Sequence, residues 1–235
     1  MTKKKSSKKA AVPSLTESEQ LLGWVYLAVE LLVLPIVIAM VGEQFGGFSD
    51  SVANFIYYVT NAVCCALIFR ELLKDSLIRA GQRFGRLICV VLLGFLLLLG
   101  ANELMTGLCQ RLIPEFVNMN NAAISAMVAE SPVLMTIGTV VLVPIAEECL
   151  YRGLLFLGPL KKNRIGAYAL SVLAFCAIHV VGYVGDADAL TLALCFVQYV
   201  PAGLVLAYAC ESTGFLFAPI LIHAAINAGS IIALN

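Results

Sequence analysis

Seven runs of mostly apolar residues follow one another along the chain, and each is about as long as a helix that crosses a membrane. Lipid leaves the edges of an open sheet without hydrogen-bond partners, and these runs do not alternate as barrel strands do. We therefore predict an all-α, polytopic membrane helix bundle with about seven transmembrane helices. The predicted spans are residues 21–41, 52–73, 87–108, 132–158, 166–182, 190–210 and 215–234.

Composition supports a membrane protein and excludes some partners. Charged residues make up 13% of the chain, whereas soluble domains carry about 25%. No basic groove or aromatic-rich Lys/Arg patch is present in the sequence, so we expect no nucleic-acid partner. The expected partner from composition is the lipid bilayer. The eight cysteines lie mostly in apolar runs, where they are expected to pack between helices as small hydrophobic side chains.

The positive charges are distributed unevenly between the two ends of the predicted spans. Thirteen of the 15 Lys and Arg residues lie in the N-terminal tail, the second-to-third connection and the fourth-to-fifth connection. With seven spans, these three segments share one face of the membrane. Because Lys and Arg favour the cytoplasmic side, we expect a cytoplasmic N-terminus and a multi-pass protein of the cell membrane.

The chain divides into three parts by composition. Residues 1–20 are predicted to be a basic cytoplasmic tail, residues 21–131 N-terminal membrane helices with a connecting segment, and residues 132–235 a membrane core. The first run has no small-residue cleavage site behind it and is expected to be a retained helix that is kinked by Pro35. Glu30, inside that run, is expected to have a polar partner or a shallow position. Residues 110–131 are too polar to span and are predicted to form a surface helix or a re-entrant cap.

Three charged residues interrupt the fourth apolar run: Glu147, Glu148 and Arg152. An Arg at the centre of a membrane helix costs roughly 2.5–3.5 kcal/mol, so such residues need partners or a function. Glu148 and Arg152 have i, i+4 spacing, which predicts an ion pair. Glu147 is turned about 100° from Glu148 around a helix. It is the carboxylate left free, and a free buried carboxylate is a candidate general base.

The only two histidines of the chain lie in predicted spans. His179 is four residues after Phe175, and His223 is four residues before Asn227, so each pair shares one helix face. A rise of about 1.5 Å per residue places both histidines and Glu147 within roughly 10 Å of the membrane midplane. These residues can converge on one site if the three helices pack together.

Together these residues resemble the three motifs of a known family. Glu147-Glu148-x-x-x-Arg152, Phe175-x-x-x-His179 and His223-x-x-x-Asn227 occur in that order. This arrangement is similar to the CAAX protease and bacteriocin-processing (CPBP, or Abi) intramembrane proteases, which include the type II CAAX prenyl endopeptidases. The resemblance covers about residues 132–235, and the first three spans match only as generic membrane helices.

The resemblance implies an intramembrane endopeptidase that hydrolyses a peptide bond in a peptide or membrane-associated protein. Glu147 and His179 are implied to activate a water molecule that attacks the scissile carbonyl. His223 and Asn227 are implied to form an oxyanion site. Prenylated CAAX proteins, bacteriocin leaders and peptide pheromones are all substrates that fit the family.

The same resemblance implies a supporting set of residues around the catalytic ones. Glu148 and Arg152 would hold the shape of the site, and Phe175 would pack beside it. No cofactor is expected, because the sequence lacks an HExxH motif. Metal dependence is the alternative. In that case zinc would be bound by Glu147, His179 and His223.

Other functions are compatible with the same residues. One alternative is a non-proteolytic bacteriocin-immunity or scaffold membrane protein with the same motifs. Another is an ion-coupled transporter, because Glu and His side chains also form proton relays in membranes. A cysteine protease that uses Cys149 or Cys176 with a histidine is a minor alternative.

Overall fold

The computed structural model describes residues 13–233, and within this range the chain is helical, with no strand beyond an isolated bridge between Val184 and Ala187. The all-α prediction is confirmed. Most of the predicted basic tail and the end of the last predicted span, Leu234, lie outside the described residues.

The helices are numbered here in chain order. The N-terminal ones are α1 (Glu17–Leu32), α2 (Leu34–Gln44), α3 (Asp50–Ile68), α4 (Arg70–Gln82), α5 (Phe84–Leu112) and α6 (Met119–Glu130). The remaining ones are α7 (Pro132–Leu160), α8 (Arg164–Val181), α9 (Ala189–Thr213) and α10 (Phe217–Ile232). Helix α7 is not regular, because its segments Gly138–Leu142 and Glu148–Leu157 are π-helical.

By length and composition, five of the described helices can cross a membrane: α3, α5, α7, α8 and α9. Helices α1 and α2 are bent by 47° and provide a sixth crossing if they are counted as one span. Helix α10 is apolar but has only 16 residues. The protein is therefore a polytopic membrane helix bundle, whereas the seventh span and the cytoplasmic N-terminus stay predictions.

The bend between α1 and α2 is at the predicted proline. Helix α1 ends at Leu32, and Pro35 lies in the first turn of α2. Proline lacks an N–H and its ring clashes with the carbonyl four residues earlier, so the helix cannot continue through it. The predicted kink is confirmed.

The second predicted span was wrong at its C-terminal end. Helix α3 ends at Ile68, and Arg70 begins a separate helix, α4, where the sequence suggested five more residues of one span. The break is stabilised from α1, because the buried Glu19 carboxylate accepts a hydrogen bond from the Leu72 backbone N–H at 2.9 Å. That N–H is one of the first-turn donors of α4 that have no partner within the helix.

The polar segment between α5 and α7 contains a helix, as expected. Asn118 caps α6 by accepting a hydrogen bond from the Asn121 backbone N–H at 3.2 Å. At the other end of α6, the Ser51 hydroxyl of α3 donates to Glu130 at 2.6 Å and to the Met127 carbonyl at 3.1 Å. The cap thus closes the first turn of α6, and the Ser51 contacts fix its other end to α3.

Helix α7 lies at the centre of the bundle, and every residue from Glu148 to Leu157 is buried. Close packing requires small residues at two points. A Cβ atom at Gly138 would lie 2.6 Å from Tyr58 Cδ2 of α3, and one at Gly203 would lie 3.0 Å from Val172 Cγ1 of α8. The first contact packs α3 against the N-terminal half of α7, and the second packs α9 against α8.

Candidate active site

A buried ion pair forms the base of the site. Arg152 Nη1 donates to Glu148 Oε1 at 2.9 Å, and both side chains are 0% exposed. Arg152 Nη2 also donates to the Gly203 carbonyl at 3.4 Å, and the guanidinium carbon lies 4.3 Å from the centre of the Phe175 ring. The ion pair expected from the i, i+4 spacing is present, and it connects α7 to α8 and α9.

His223 of α10 contacts the same carboxylate. Its Nδ1 atom lies 2.9 Å from Glu148 Oε1, and because a carboxylate only accepts, Nδ1 is the donor. Its other nitrogen, Nε2, lies 4.0 Å from Glu147 Oε2. His223 is therefore held by one glutamate and faces the other, a contact between helices that no sequence spacing indicates.

Glu147 is the carboxylate without a hydrogen-bond partner, as the helical angles predicted. Its side chain is 20% exposed, but its Oε2 atom is buried and has no hydrogen-bond partner within residues 13–233. The wider π-helical turn begins at the next residue, Glu148. Such segments occur frequently at functional sites, because they change the direction of neighbouring side chains.

His179, near the end of α8, is held by its own helix. Its Nδ1 atom lies 2.7 Å from the Phe175 carbonyl, which only accepts, so Nδ1 carries the proton. In the neutral ring, Nε2 is then a free proton acceptor. In the part of the chain that the structure describes, His179 makes no hydrogen bond to Glu147.

Phe175 brings the three motifs together. The centre of its ring lies 4.7 Å from that of His179 and 6.0 Å from that of His223, and Arg152 lies over it. Phe175 itself is 2% exposed. The predicted convergence of the three helices thus occurs around an aromatic ring.

Asn227 is bound to the other irregular part of α7. Its Nδ2 atom donates to the Thr139 carbonyl at 2.8 Å, within the π-helical segment Gly138–Leu142. A side-chain amide has two N–H bonds, so a second donor remains for another acceptor. Asn227 follows His223 by one helical turn and is half-buried.

A comparison with protein families agrees with this geometry. Residues 129–229 match the model described as type II CAAX prenyl endopeptidase Rce1-like. The core of this chain resembles the Rce1-like family. The matched segment includes all three motifs and confirms the resemblance to the CPBP proteases that they predicted. Comparison with curated proteins and with solved structures gives no significant match.

Tyr199 of α9 is a site neighbour that sequence reasoning missed. Its ring stacks on that of His179, with centres 4.0 Å apart and planes 27° apart. Its hydroxyl contacts three asparagines of the segment that precedes the Rce1-like core: Asn118, Asn120 and Asn121. The only available sequence signal was an unusual density of asparagines in a segment too polar to span.

Glu30 of α1 has the polar partner that the sequence predicted. The Tyr57 hydroxyl of α3 donates to Glu30 Oε1 at 2.9 Å, and the carboxyl group is 5% exposed. Its Oε2 atom is buried and has no hydrogen-bond partner among the described residues. Glu30 and Tyr57 belong to the helices outside the Rce1-like segment.

The candidate zinc ligands do not form a metal site as they are placed. Within the described range, no group of three or more His, Cys, Asp and Glu side chains could hold a metal ion. Catalytic zinc takes three protein ligands. Glu147 and His223 face each other. The His179 ring packs against Phe175 and Tyr199 instead, and among the described residues it makes no hydrogen bond to Glu147 or His223.

The cysteine alternative gains no support from the geometry. Cys149 and Cys176 are both 0% exposed. Both are free thiols, and among the described residues neither is hydrogen-bonded to a histidine. A nucleophilic cysteine needs an adjacent base and access to substrate.

Proposed function

We propose that this protein is an intramembrane endopeptidase of the cell membrane, which hydrolyses a peptide bond in a peptide or membrane-associated protein. The observation that carries the proposal is the position of Glu147. Its Oε2 atom is buried, lacks a hydrogen-bond partner in the described chain and faces His223 Nε2 at 4.0 Å. The Rce1-like match of residues 129–229 supports the same activity.

The spacing between Glu147 and His223 suits a reaction between them. A separation of 4.0 Å is too long for a direct hydrogen bond, but one water molecule can contact both groups. Glu147 can accept a proton from water, and His179 offers a second proton acceptor at Nε2. The surrounding apolar residues exclude bulk water, which strengthens these electrostatic interactions.

In the proposed reaction the water oxygen attacks the scissile carbonyl carbon while Glu147 takes the water proton. The carbonyl electrons move to oxygen, and the resulting oxyanion accepts hydrogen bonds from His223 and Asn227. The intermediate then collapses, the C–N bond breaks, and the proton on Glu147 passes to the departing nitrogen. The products are a carboxylic acid and an amine, and no other reactant is consumed.

The hydrogen bond to Glu148 orients His223. Because Nδ1 donates to Glu148, the ring presents Nε2 towards Glu147. A donor role for Nε2 in the proposed oxyanion site requires the imidazolium form of the ring, in which both nitrogens carry a proton. Glu148 therefore supports catalysis by holding His223 in orientation.

The substrate class is part of the proposal. The description of the matching family points to prenylated proteins with a C-terminal CAAX sequence. Bacteriocin leaders and peptide pheromones are the other candidates. A lipid-anchored or apolar peptide suits a site that lies among membrane helices, because the chain can reach it from the bilayer.

The test is cleavage by the purified protein in lipid nanodiscs. The probes are internally quenched peptides: a farnesylated CAAX peptide, its unmodified counterpart and an apolar leader peptide. We expect the wild type to cleave at least one, and Glu147→Gln to lose at least about 100-fold in kcat, as general-base removal typically does. Glu43→Gln, an exposed change on α2, is the matched control and should cleave as the wild type does.

Two results would contradict the proposal. If a folded wild type cleaves none of the peptides, the non-proteolytic immunity or scaffold function gains support. If Glu147→Gln cleaves at the wild-type rate, Glu147 is not the base and the proposed mechanism fails.

A further inference from the structure

Tyr199 connects the candidate base His179 to the start of α6. We propose that Tyr199 is a positioning residue for His179, and that Asn118, Asn120 and Asn121 hold Tyr199 in place. This proposal rests on the endopeptidase function proposed above. It extends the active site beyond residues 129–229, because the three asparagines lie outside the Rce1-like segment.

The His179 ring is constrained from three directions. Its Nδ1 atom is bound to the Phe175 carbonyl at 2.7 Å. Tyr199 stacks against it with ring centres 4.0 Å apart, while Phe175 packs 4.7 Å away at a 55° tilt. Phe175 and Tyr199 are 6.3 Å from each other, so they contact the imidazole from different sides. These contacts leave Nε2 as the one ring nitrogen free to act, and they fix its direction.

The Tyr199 hydroxyl is held by three asparagine side chains at the start of α6. Asn120 Nδ2 donates to it at 3.1 Å. The hydroxyl lies 3.3 Å from both Asn118 Oδ1 and Asn121 Oδ1, and its single proton can be donated to either. Three amides at one hydroxyl restrict rotation of the phenol, and thus they restrict the ring that stacks on His179.

The asparagines are themselves fixed by the fold. Asn118 caps α6, and its Nδ2 atom donates to Gln198 Oε1 at 2.8 Å. Gln198 Nε2 donates in turn to Thr106 of α5 at 3.1 Å. The network therefore joins the start of α6, the middle of α9 and the end of α5. A polar network of this kind keeps a rigid arrangement only when its members are paired.

Positioning matters because hydrolysis depends on the direction of the base. A misplacement of about 1 Å in a catalytic group can cost about 100-fold in rate. Without the phenol, the imidazole keeps its Nδ1 hydrogen bond but can tilt about it. We therefore expect Tyr199→Leu to lower kcat by about 10- to 100-fold while KM changes little. Tyr199→Phe keeps the stacked ring but loses the hydrogen bonds to the asparagines, so its loss in kcat should be clearly smaller than that of Tyr199→Leu.

Three variants separate positioning from general packing. Tyr208→Leu removes a tyrosine of the same helix that is 62% exposed, and it should cleave as the wild type does. In a His179→Ala background, Tyr199→Leu should cause no further loss, because the group on which it acts is already absent. Once Tyr199→Phe has removed the hydroxyl, Asn120→Leu should have no additional effect on kcat.

A second measurement does not depend on activity. The chain has only two histidines, so imidazole proton NMR resonances can be assigned with His223→Gln. A stacked phenol shields the His179 ring protons, and Tyr199→Leu should move these resonances downfield while Tyr199→Phe leaves them nearly in place. Unchanged His179 resonances in Tyr199→Leu would overturn the stacking, whether or not the protein cleaves peptides.

The kinetic outcomes are equally decisive. If Glu147→Gln abolishes cleavage but Tyr199→Leu has wild-type kcat, the positioning role is wrong and the proposed function stands. If Tyr199→Leu lowers activity equally in the wild-type and His179→Ala proteins, its role is structural and the proposal fails. If Glu147→Gln is fully active, the mechanism proposed for Glu147 fails, and the NMR result alone decides the placement of His179.

Discussion

Glu148 Oε1 accepts a hydrogen bond from His223 Nδ1 at 2.9 Å, across the interface between α7 and α10. The same oxygen accepts from Arg152, so one carboxylate joins the first and third motifs. A glutamate that stabilised only its own helix would need Arg152 alone. The second contact sets which nitrogen of His223 faces Glu147.

This shared carboxylate makes a stability prediction. Arg152→Leu leaves Glu148 as a buried charge that keeps only His223 as a partner, and loss of one member of a buried pair typically costs about 3–5 kcal/mol. The double variant Glu148→Leu/Arg152→Leu should recover a large part of that loss, because neither residue of the pair is then left as an unpaired buried charge. Denaturant unfolding in detergent measures both free energies.

A matched control exists on the surface of the same protein. Arg70 and Glu71 form an ion pair at 3.5 Å with exposed fractions of 76% and 55%. Arg70→Leu should leave the unfolding free energy almost unchanged, because exposed pairs contribute little. If Arg70→Leu and Arg152→Leu lowered the free energy of unfolding equally, burial of the Glu148–Arg152 pair would not explain its contribution to stability.

Asn227 provides a test of the oxyanion site. Asn227→Ala removes the amide N–H that is free to bind an oxyanion, and loss of one such donor typically lowers kcat by about 100- to 1000-fold. KM should change much less, because the donor acts mainly on the transition state. Ser230→Ala, three residues later on the exposed side of α10, should have no comparable effect. A raised KM with unchanged kcat would instead assign Asn227 to substrate binding.

The active site also makes a prediction about metal ions. The described His, Cys, Asp and Glu side chains form no three-ligand group, so peptide cleavage should persist after dialysis against EDTA and in 1,10-phenanthroline. Cleavage rates before and after chelation are the measurement. Loss of activity that added Zn²⁺ restores would show that Glu147, His179 and His223 rearrange to bind a metal.

Local spacing explains which parts of this site the sequence could predict. The Glu148–Arg152 pair follows from i, i+4 geometry, and the bend follows from Pro35, because both depend on a single helix. The Glu148–His223 contact and the Tyr199–His179 stack depend on how helices rotate against each other. Sequence spacing within one helix carries no information on that rotation.

The irregular geometry of α7 was also beyond sequence reasoning. An ideal α-helix was assumed for Glu147 and Glu148, but π-helical segments lie on both sides of Val143–Glu147. Tyr58 of α3 lies close to Gly138, the first residue of the first π-helical segment, and this contact depends on how α3 packs against α7. Such segments are set by tertiary packing, and no single residue type marks them in a sequence.

The contact between α3 and α6 predicts a pH dependence of stability. Hydrogen bonds from the Ser49 and Ser51 side chains hold the pKa of Glu130, outside the apolar spans, below its usual value. A carboxyl group with a lowered pKa in the folded state stabilises that state when ionised. The contribution is fully present above the ordinary glutamate pKa of about 4.3, and it is lost as pH falls through the lower folded-state value.

Ser51→Ala tests this relationship directly. Ser51 is buried and donates to Glu130 at 2.6 Å, so its removal should raise the pKa of Glu130 towards the usual value and weaken the α3–α6 contact. Thermal unfolding between about pH 3 and pH 6 should then show a smaller fall in stability on acidification than in the wild type. Ser125→Ala, a half-buried serine of α6 that donates to its own helix, is the matched control. An identical pH profile for Ser51→Ala and the wild type would contradict the link, because the carboxylate of Glu130 would then gain nothing from Ser51.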